Sequence, residues 1–479
     1  MAKIEFGIRS TGRIDWQEGM TTSAHTDDGG FSSESYNINP MVAPGLLYAS
    51  QSPVNLSTNL TDTAIASCED PNYLGNDRMF LDDTGAFYTL SSTTLTKKVT
   101  ASSDLFTFGT TDFVAWANTS GGINYYATTK AGSGGDIVKW DGNTTLTETW
   151  WTGAGTLNQA ALSATTAWRP LLVYEQYLFV GDANKLHRIA KDLSVSNAII
   201  TLPATENISA LGIDRGTGKM LIATTTGVDY SASRNGNSKL YIYDGFSDKP
   251  LREIPIAGTV TAITHVGDQT YIFYGNKIGV FTGNGIQYLR TLSFSTGNGA
   301  NLVYKHKTTR IENTLYFGDL DKIMAYGESR PGKKVFYYPV ANPVNSNTIS
   351  VVTFIGGSKL AFSFASAKLY TCDLSATTSL AGMVLKSPKY YFPKMAQIQK
   401  IELELGTQLS ANSILGTLYY IDENGTQTSL GDITDVVAFY NKEFKWQPKV
   451  KLFQLYLTTT GNFTNPIRRV IVTYDLINE

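Results

Sequence analysis

The feature that most constrains the fold of this chain is a short segment that returns roughly every 40 to 50 residues. Each copy holds alternating apolar residues, and most copies begin at a polar side chain and end at a turn. Seven copies align: "GAFYTLSS" (85–92), "DIVKWDG" (136–142), "NKLHRIAKD" (184–192), "SKLYIYDG" (238–245), "NKIGVFTG" (276–283), "DKIMAYG" (321–327) and "AKLYTCD" (367–373). A second apolar strand usually precedes the copy, as "QTYIFYG" precedes "NKIGVFTG". Strand–turn–strand units at this period predict the blades of a β-propeller.

Packing explains why such units repeat. One four-stranded sheet cannot bury both of its faces, so blades stack around an axis and each covers its neighbour. The composition agrees, because only 17% of residues are charged while Tyr and Gly are abundant, a mixture that suits strands and turns. The sequence therefore predicts an all-β chain, with a propeller of seven blades, or six, over residues 76–385.

The first 75 residues lack this period. The segment "SAHTDDGGFSSESYNINPMVAPGLLYASQSP" is rich in Ser, Asn, Gly and Pro, yet it carries Met41, Leu46, Leu47 and Tyr48. These side chains are too apolar for a solvated linker. Residues 1–75 are therefore predicted to form an extended arm that lies on the propeller or on a neighbouring subunit, with those four residues as interface anchors. The alternative is that these residues form a flexible, solvated tail.

Residues 386–479 change period again. "IQKIELELG" alternates apolar residues with Lys400, Glu402 and Glu404, which predicts a half-buried strand whose charged face is solvated. "TLYYIDENGTQTSL" contains Asn424-Gly425, the strongest short hairpin signal. With "KVKLFQLYLTTT" and "IRRVIVTYDLI", these segments predict a C-terminal β-sandwich of jelly-roll or immunoglobulin-like type.

Residues that carry chemistry are sparse. The four histidines stand apart from one another in sequence and form no H-x-x-H or H-x-H pair, so they are predicted to be structural or surface residues. "GIDRGTGKM" (212–220) departs from a phosphate-binding loop in spacing and predicts a hairpin turn. Cys68 and Cys372 are either separate buried thiols or are brought together by the arm. No cofactor, metal site or catalytic residue is predicted.

Partners are constrained mainly by exclusion. The formal net charge is −2 with no basic block, which argues against nucleic-acid binding. No apolar run approaches membrane-spanning length, and the start "MAKIEFGIRSTGR" lacks the apolar region of a secretory signal. Trp150 and Trp151 in "TETWWTGAG" are candidates for glycan contact, although packing within a blade is favoured.

The layout as a whole resembles propeller-bearing bacteriophage virion proteins of the tail nozzle, hub or tip. The resemblance is carried by the arm with "INPMVAPGLLYASQSP", the low-charge propeller and the closing segment "IELELG…GTLYYIDENGTQTSLG". It implies a non-enzymatic structural protein without a cofactor, assembled in the host cytoplasm with copies of itself and with other virion proteins. The alternatives are a receptor- or glycan-binding tail protein and a propeller glycoside hydrolase.

Overall fold

A computed structural model describes most of the chain. The described residues are 2–7, 34–39, 48–56, 60–69, 77–91, 93–102, 105–117, 121–130, 134–163, 168–226, 237–293, 302–330, 333–341, 348–364, 368–376, 382–387, 389–405, 414–434, 441–445, 449–459 and 467–477. Within these ranges the regular structure is β-strand, apart from a short 3-10 turn at Lys305–Lys307. No helix among them is long and apolar enough to cross a bilayer.

The strands are numbered in chain order. Those of the first half are β1 (Ala2–Gly7), β2 (Glu34–Tyr36), β3 (Ile38–Asn39), β4 (Tyr48–Ala49), β5 (Val54–Asn55), β6 (Ala64–Glu69), β7 (Asp77–Asp82), β8 (Ala86–Ser91), β9 (Thr94–Thr100), β10 (Phe113–Ala117), β11 (Ile123–Thr128), β12 (Ile137–Trp140), β13 (Leu146–Thr147), β14 (Leu171–Tyr174), β15 (Tyr177–Asp182), β16 (Lys185–Ile189), β17 (Val195–Thr201), β18 (Asn207–Ile213), β19 (Met220–Thr225) and β20 (Asn237–Tyr243).

Those of the second half are β21 (Arg252–Ala257), β22 (Val260–Val266), β23 (Gln269–Tyr274), β24 (Lys277–Phe281), β25 (Ile286–Thr291), β26 (Thr308–Ile311), β27 (Thr314–Asp319), β28 (Lys322–Arg330), β29 (Lys333–Ala341), β30 (Ile349–Phe354), β31 (Lys359–Phe364), β32 (Tyr370–Asp373), β33 (Val384–Lys386), β34 (Tyr390–Leu405), β35 (Ile414–Ile421), β36 (Gln427–Thr434), β37 (Asn441–Lys445), β38 (Lys449–Thr459) and β39 (Ile467–Leu476).

Seven sheets of four strands form the blades of a propeller. Their strand orders are β6-β7-β8-β9, β10-β11-β12-β13, β14-β15-β16-β17, β18-β19-β20-β21, β22-β23-β24-β25, β26-β27-β28-β29 and β30-β31-β32-β5. The first strand of each sheet contacts the first strand of the next, and β30 contacts β6, so these seven strands close a ring. The prediction of an all-β propeller is confirmed, with seven blades rather than six.

The recurring sequence segment is the third strand of each blade. The seven aligned copies overlap β8, β12, β16, β20, β24, β28 and β32. The glycine at the following turn is required by geometry, because Gly245 has a φ of 90° and a Cβ there would lie 2.8 Å from the ring of Tyr174. "GIDRGTGKM" is the predicted hairpin: β18 and β19 pair antiparallel from Ile213 opposite Met220.

The apolar core lies between neighbouring blades. One cluster joins the first two sheets, where Phe87 packs 5.2 Å from Trp140 and 5.8 Å from Phe113 between ring centroids. Another joins the first sheet to the last, where Phe80 and Val351 are both fully buried. Burial stabilises by about 25 cal/mol per Å² of apolar surface, so each blade depends on both neighbours and on closure of the ring.

Three blades each have a buried aspartate at the same position, which the repeat pattern did not predict. Asp82, Asp182 and Asp319 each end the second strand of their sheet, and each is at most 9% exposed. Each accepts a backbone N–H from the segment that enters the blade: Asp182 from Ser163 at 2.7 Å and Asp319 from Ser293 at 3.0 Å. The sequence signal is an Asp directly after an apolar strand, as in "MFLD", "LFVGD" and "LYFGD".

The described residues divide into two compact units. One holds Met1–Val54, Lys322–Ala341 and Cys372–Glu479, and the other holds Asn55–Asp321 and Asn342–Thr371. Cys68 is half-buried in the second unit and Cys372 is buried in the first, and neither forms a disulfide. Burial raises the pKa of the Cys372 thiol to about 12, with Asp373 adding to the shift. The predicted domain bounds, the N-terminal arm and the C-terminal sandwich stay predictions.

The first unit contains a nine-stranded sheet. Its longest path runs β1-β39-β34-β38-β33-β2, while β35 pairs with β38 and β36, and β37 pairs with β34. The Asn424-Gly425 hairpin is confirmed between β35 and β36, with Gly425 at a φ of 79°. The sequence was wrong about Glu404, which is buried because Arg468 and Arg469 bind its carboxylate at 2.9 and 2.5 Å. A sandwich remains the predicted architecture for this unit.

Candidate functional site

The innermost strands of the blades surround two cavities on the propeller axis. The smaller has a volume of about 40 Å³ and is lined by residues of β6, β18 and β22 and by the segments that precede β10, β14 and β26. The larger has a volume of about 360 Å³ and is lined from β6, β10, β14, β18, β22, β26 and β30. Leu211, Ile263, Lys305 and His306 line both, so these side chains stand between the two spaces.

An ion cluster lies at this partition. Asp112 directly precedes β10, and Lys305 and His306 lie on the 3-10 turn before β26. The Lys305 Nζ is 2.9 and 3.0 Å from the two carboxylate oxygens of Asp112, and the His306 Nε2 is 3.0 Å from Oδ1. Asp112 and His306 are each 7% exposed, whereas the Lys305 side chain is 36% exposed. The cluster therefore joins two blades through a buried carboxylate and a partly exposed ammonium group.

Backbone groups complete the cluster. Asp112 accepts the N–H groups of Phe113 at 2.7 Å and Leu171 at 2.8 Å, and Lys305 donates to the Leu171 carbonyl at 3.0 Å. The His306 Nδ1 lies 3.0 Å from the Ser67 carbonyl oxygen. The first, second, third and sixth blades are thus connected by one set of hydrogen bonds.

The charge of Asp112 follows from its partners. The His306 Nε2 lies 3.0 Å from the Asp112 carboxylate, and the Nδ1 lies 3.0 Å from the Ser67 carbonyl oxygen and 3.4 Å from the Ser67 backbone nitrogen. Burial by itself raises the pKa of Asp112, but the charges of Lys305 and His306 outweigh it and hold that pKa well below its usual range. A carboxylate held ionised in this way is a poor general base, so its chemistry is that of a cross-link.

Arg169 forms a second polar link near the smaller cavity. Its guanidinium is 1% exposed and donates to the carbonyl oxygens of Thr129 at 2.5 Å and Lys130 at 3.0 Å, and also to that of Ser163. Thr128 in turn donates to the Arg169 carbonyl at 3.1 Å. The second and third blades are thereby held together by charge-assisted hydrogen bonds.

Two further buried titratable groups have lowered pKa values. Burial, followed by the charges of Arg310 and Arg215, lowers the pKa of His265 to about 4. Burial lowers the pKa of Lys307 to about 7 against the opposing charge of Asp319, and its Nζ lies about 5 Å from two aromatic ring centroids. At neutral pH His265 is therefore uncharged.

The tryptophans proposed for glycan contact lie in the apolar core between the second and third blades. Trp150 is 2% exposed, and its ring centroid lies 4.5 Å from that of Tyr126. Trp151 is 1% exposed, and its ring centroid lies 5.4 Å from that of His187. The Trp151 Nε1 donates to the Ala160 carbonyl at 2.7 Å. Neither indole presents a face to solvent on which a sugar ring can stack.

The predicted interface anchors are only partly described. Met41, Leu46 and Leu47 lie outside the described residues, and Tyr48 is described as the backbone of β4, opposite Asn39 of β3. The axial cluster escaped the sequence reasoning, because His306 and Asp112 are separated by 194 positions and no local pattern links them. Among the residues the structure describes, no three His, Cys, Asp or Glu side chains converge as metal ligands.

Comparisons with known proteins do not assign this chain to a family. No protein-family model matches the chain, and no curated protein does. Three solved structures are each similar at 12% identity: Raptor of Chaetomium thermophilum (68% of this chain, TM-score 0.45), the computationally designed protein Ika8 (67% of this chain, 99% of that one, TM-score 0.42) and the WD40 β-propeller domain of Doa1 (68% of this chain, 97% of that one, TM-score 0.44). This chain spans 29% of the Raptor chain. The seven-bladed fold therefore rests on the sheet topology and the closed ring of contacts.

Proposed function

We propose that the protein is a non-enzymatic structural component of a bacteriophage virion, located in the tail nozzle, hub or tip, and that it acts through protein–protein interfaces. Its partners are copies of itself and other virion proteins, assembled in the host cytoplasm. Two features support this proposal: the open strand edges of the nine-stranded sheet, and an axial ion cluster whose groups are engaged in cross-linking blades.

The observation that carries the proposal is the position of β1. Its six residues pair antiparallel with β39, from Ala2 opposite Tyr474 to Gly7 opposite Arg469. Among the described strands of that sheet, β1, β2, β36 and β37 each pair with a single neighbour. Such edges leave one row of backbone N–H and C=O groups open to another chain.

Strand exchange gives a specific way to assemble. Main-chain hydrogen bonds do not depend on which copy supplies the strand, so β1 of a neighbouring subunit can take the same place on β39. Ile4 provides the apolar anchor, since it packs against the buried core of the sheet while Lys3 is exposed. In that arrangement, the first residues of the predicted N-terminal arm make the contact between subunits.

Deleting residues 1–7 is expected to leave a folded propeller that no longer forms multimers, because the edge of β39 loses the strand that completes it. Mass photometry and negative-stain imaging measure the assembly, and thermal unfolding checks the fold. A matched pair sharpens the test: Ile4→Asp should reduce assembly, whereas Lys3→Asp on the solvent side should not. The proposal fails if the truncated chain assembles like the full one, or if the full chain stays monomeric at about 10 µM.

A second candidate function, receptor or glycan binding, is favoured by one exposed aromatic residue. Phe246 is 56% exposed on a turn held by Asp244, which accepts the Phe246 N–H at 2.9 Å. The Arg188 guanidinium lies 6.0 Å from this ring and 5.0 Å from the ring of Tyr177. A rigid aromatic beside an arginine is typical of binding hot spots.

Under this second candidate, Phe246→Ala should abolish binding on a glycan array or to host-cell surfaces, because it removes the exposed ring without opening a core. Tyr288→Ala, at another exposed ring (53%), is the matched control and should leave binding unchanged. Binding that survives Phe246→Ala, or is absent from the unaltered protein, argues against this function.

A further inference from the structure

The turn between β24 and β25 presents an asparagine that is followed by a glycine. Asn284 and Gly285 belong to the segment "TGNG" (282–285), and Asn284 is exposed to solvent. A Cβ built on Gly283 or on Gly285 would meet no heavy atom within 4 Å beyond its chain neighbours, so the space around the turn is open. An asparagine side chain can react with the backbone nitrogen of the next residue, and a glycine leaves that nitrogen least hindered. The turn therefore holds both groups that an intramolecular cyclisation needs.

The nucleophile of this reaction is the Gly285 nitrogen, and its N–H is unengaged. Among the described residues nothing accepts a hydrogen bond from it, whereas the Gly285 carbonyl accepts the Thr282 N–H at 2.9 Å. A second exposed pair, Asn424-Gly425, differs at this point, because the Gly425 N–H donates to the Asp422 carbonyl at 3.1 Å. An amide held in this way must break its hydrogen bond before it attacks, which slows the attack about fivefold.

The electrophile is the side-chain carbonyl of Asn284, and a cation lies against it. The Arg252 Nη1 donates to the Asn284 Oδ1 and lies 3.4 Å from the Gly283 carbonyl oxygen, so two acceptors hold the guanidinium at the turn. Attack at Cγ moves negative charge onto Oδ1, and a positively charged donor stabilises that charge more than it stabilises the neutral carbonyl. Arg252 is exposed, so this effect is smaller than at a buried oxyanion site.

We propose that Asn284 is a site of covalent modification at which the chain deamidates itself, with the Arg252 guanidinium promoting the reaction. The Gly285 nitrogen loses its proton to solvent and forms a bond to the Asn284 Cγ. The bond from Cγ to the side-chain nitrogen breaks, and ammonia leaves. Water then opens the succinimide ring at either carbonyl, which gives aspartate or isoaspartate. The net reaction consumes water and releases ammonia, with no oxidation or reduction.

The product alters the outer hairpin of the fifth blade. It places a new negative charge beside the Arg252 guanidinium. The isoaspartate form also adds a methylene to the main chain between Phe281 and Ile286, which lie opposite each other on β24 and β25. The hydrogen bond from Thr282 to Gly285 that closes the turn must then change its geometry. This inference is independent of the virion role, because the reaction requires only the turn and solvent water.

Peptide mapping by mass spectrometry measures the reaction while the folded protein is incubated in mildly alkaline buffer. The tryptic peptide 278–290 carries Asn284 and no other asparagine. Asn284 should be lost about fivefold faster than Asn424 in the same sample. In concentrated guanidinium chloride the two rates should agree within about twofold, because unfolding removes both the hydrogen bond of Gly425 and the contact with Arg252.

Variants separate the two reacting groups. Gly285→Ala should slow the loss of Asn284 about tenfold, because a Cβ hinders the attacking nitrogen, and the open space admits that Cβ without strain. Arg252→Met should slow it about threefold. Lys249→Met, at an exposed cation on the connection before β21, is the matched control and should leave the rate unchanged. Asn284→Asp supplies the reference for the aspartate product, and unfolding midpoints confirm that each variant is folded.

Three results would overturn the proposal. One is a peptide 278–290 in which Asn284 stays intact while Asn424 reacts. Another is an equal rate at the two asparagines in the folded protein. The third is an Arg252→Met variant that reacts as fast as Lys249→Met, which would show that the guanidinium does not activate the carbonyl.

Discussion

Asp112→Asn is expected to lower the free energy of unfolding by about 3 kcal/mol, because it leaves the Lys305 ammonium at the propeller axis without its counter-charge. The carboxylate accepts hydrogen bonds from Lys305, His306 and the backbone N–H groups of Phe113 and Leu171. An asparagine amide can accept only some of these hydrogen bonds, and its two N–H donors then face other donors. Urea unfolding followed by tryptophan fluorescence measures the loss.

The control for this variant is Asp248→Asn, which removes one carboxylate from an exposed loop and should leave the urea midpoint nearly unchanged. A double-mutant cycle with Lys305→Met isolates the ion pair from the backbone bonds. If Asp112→Asn unfolds at the same urea concentration as the unaltered protein, the cluster does not hold the blades together.

The pH dependence gives a second measure of the same cluster. The pKa of Asp112 is lower in the folded chain than in the unfolded chain, so its contribution to stability is complete above about pH 4 and is lost as the pH falls further. The difference in unfolding free energy between the protein and Asp112→Asn should therefore narrow below about pH 4. A difference that stays constant down to pH 2 would mean that the carboxylate charge contributes nothing.

Trp151→Ala is expected to destabilise the propeller by about 3 to 5 kcal/mol, because it removes a large, fully buried indole from the core between the second and third blades. The side chain is 1% exposed and packs among Trp150, Leu162 and Leu178. The change also removes the Nε1 donor of the Ala160 carbonyl. Chemical denaturation measures the loss, and near-ultraviolet circular dichroism reports whether the remaining aromatic core stays ordered.

Two variants calibrate this result. Trp151→Phe retains most of the ring and should cost about half as much, and Phe246→Ala removes a ring that is 56% exposed and should cost about 0.5 kcal/mol or less. A loss of glycan binding in Trp151→Ala would then report an altered fold rather than a missing contact. A Trp151→Ala protein as stable as Phe246→Ala would contradict the buried position of the indole.

The propeller was predictable because its signal is local and repeated. Each third strand carries its own apolar alternation, and turn glycines such as Gly245 and Gly283 have the positive φ that their turns need. Each copy of the segment is weak evidence by itself, but seven copies at a similar spacing together predict the propeller. Glu404 shows the limit of such reasoning, because the alternation of its strand predicted a solvated carboxylate and two arginines on β39 bury it.

The candidate site could not be predicted in the same way. Asp112, Lys305 and His306 occur in segments without a shared motif, and Lys305 is 193 positions from the carboxylate it binds. Their meeting depends on closure of the ring, which brings the entries of the second and sixth inner strands to one axis. Likewise, the residue pattern around Trp150 and Trp151 does not indicate which side chains cover the two indoles.

The sequence by itself determined that the chain forms β-strands, at what period they repeat and where the turns lie. Backbone conformation and side-chain alternation are set by nearby residues. Only the tertiary structure decided that seven blades close the ring, with β5 as the last strand of the final sheet. It also decided that an ion cluster and two cavities lie on the axis. Those features arise from contacts between residues far apart in the chain, which the packing of the blades brings together.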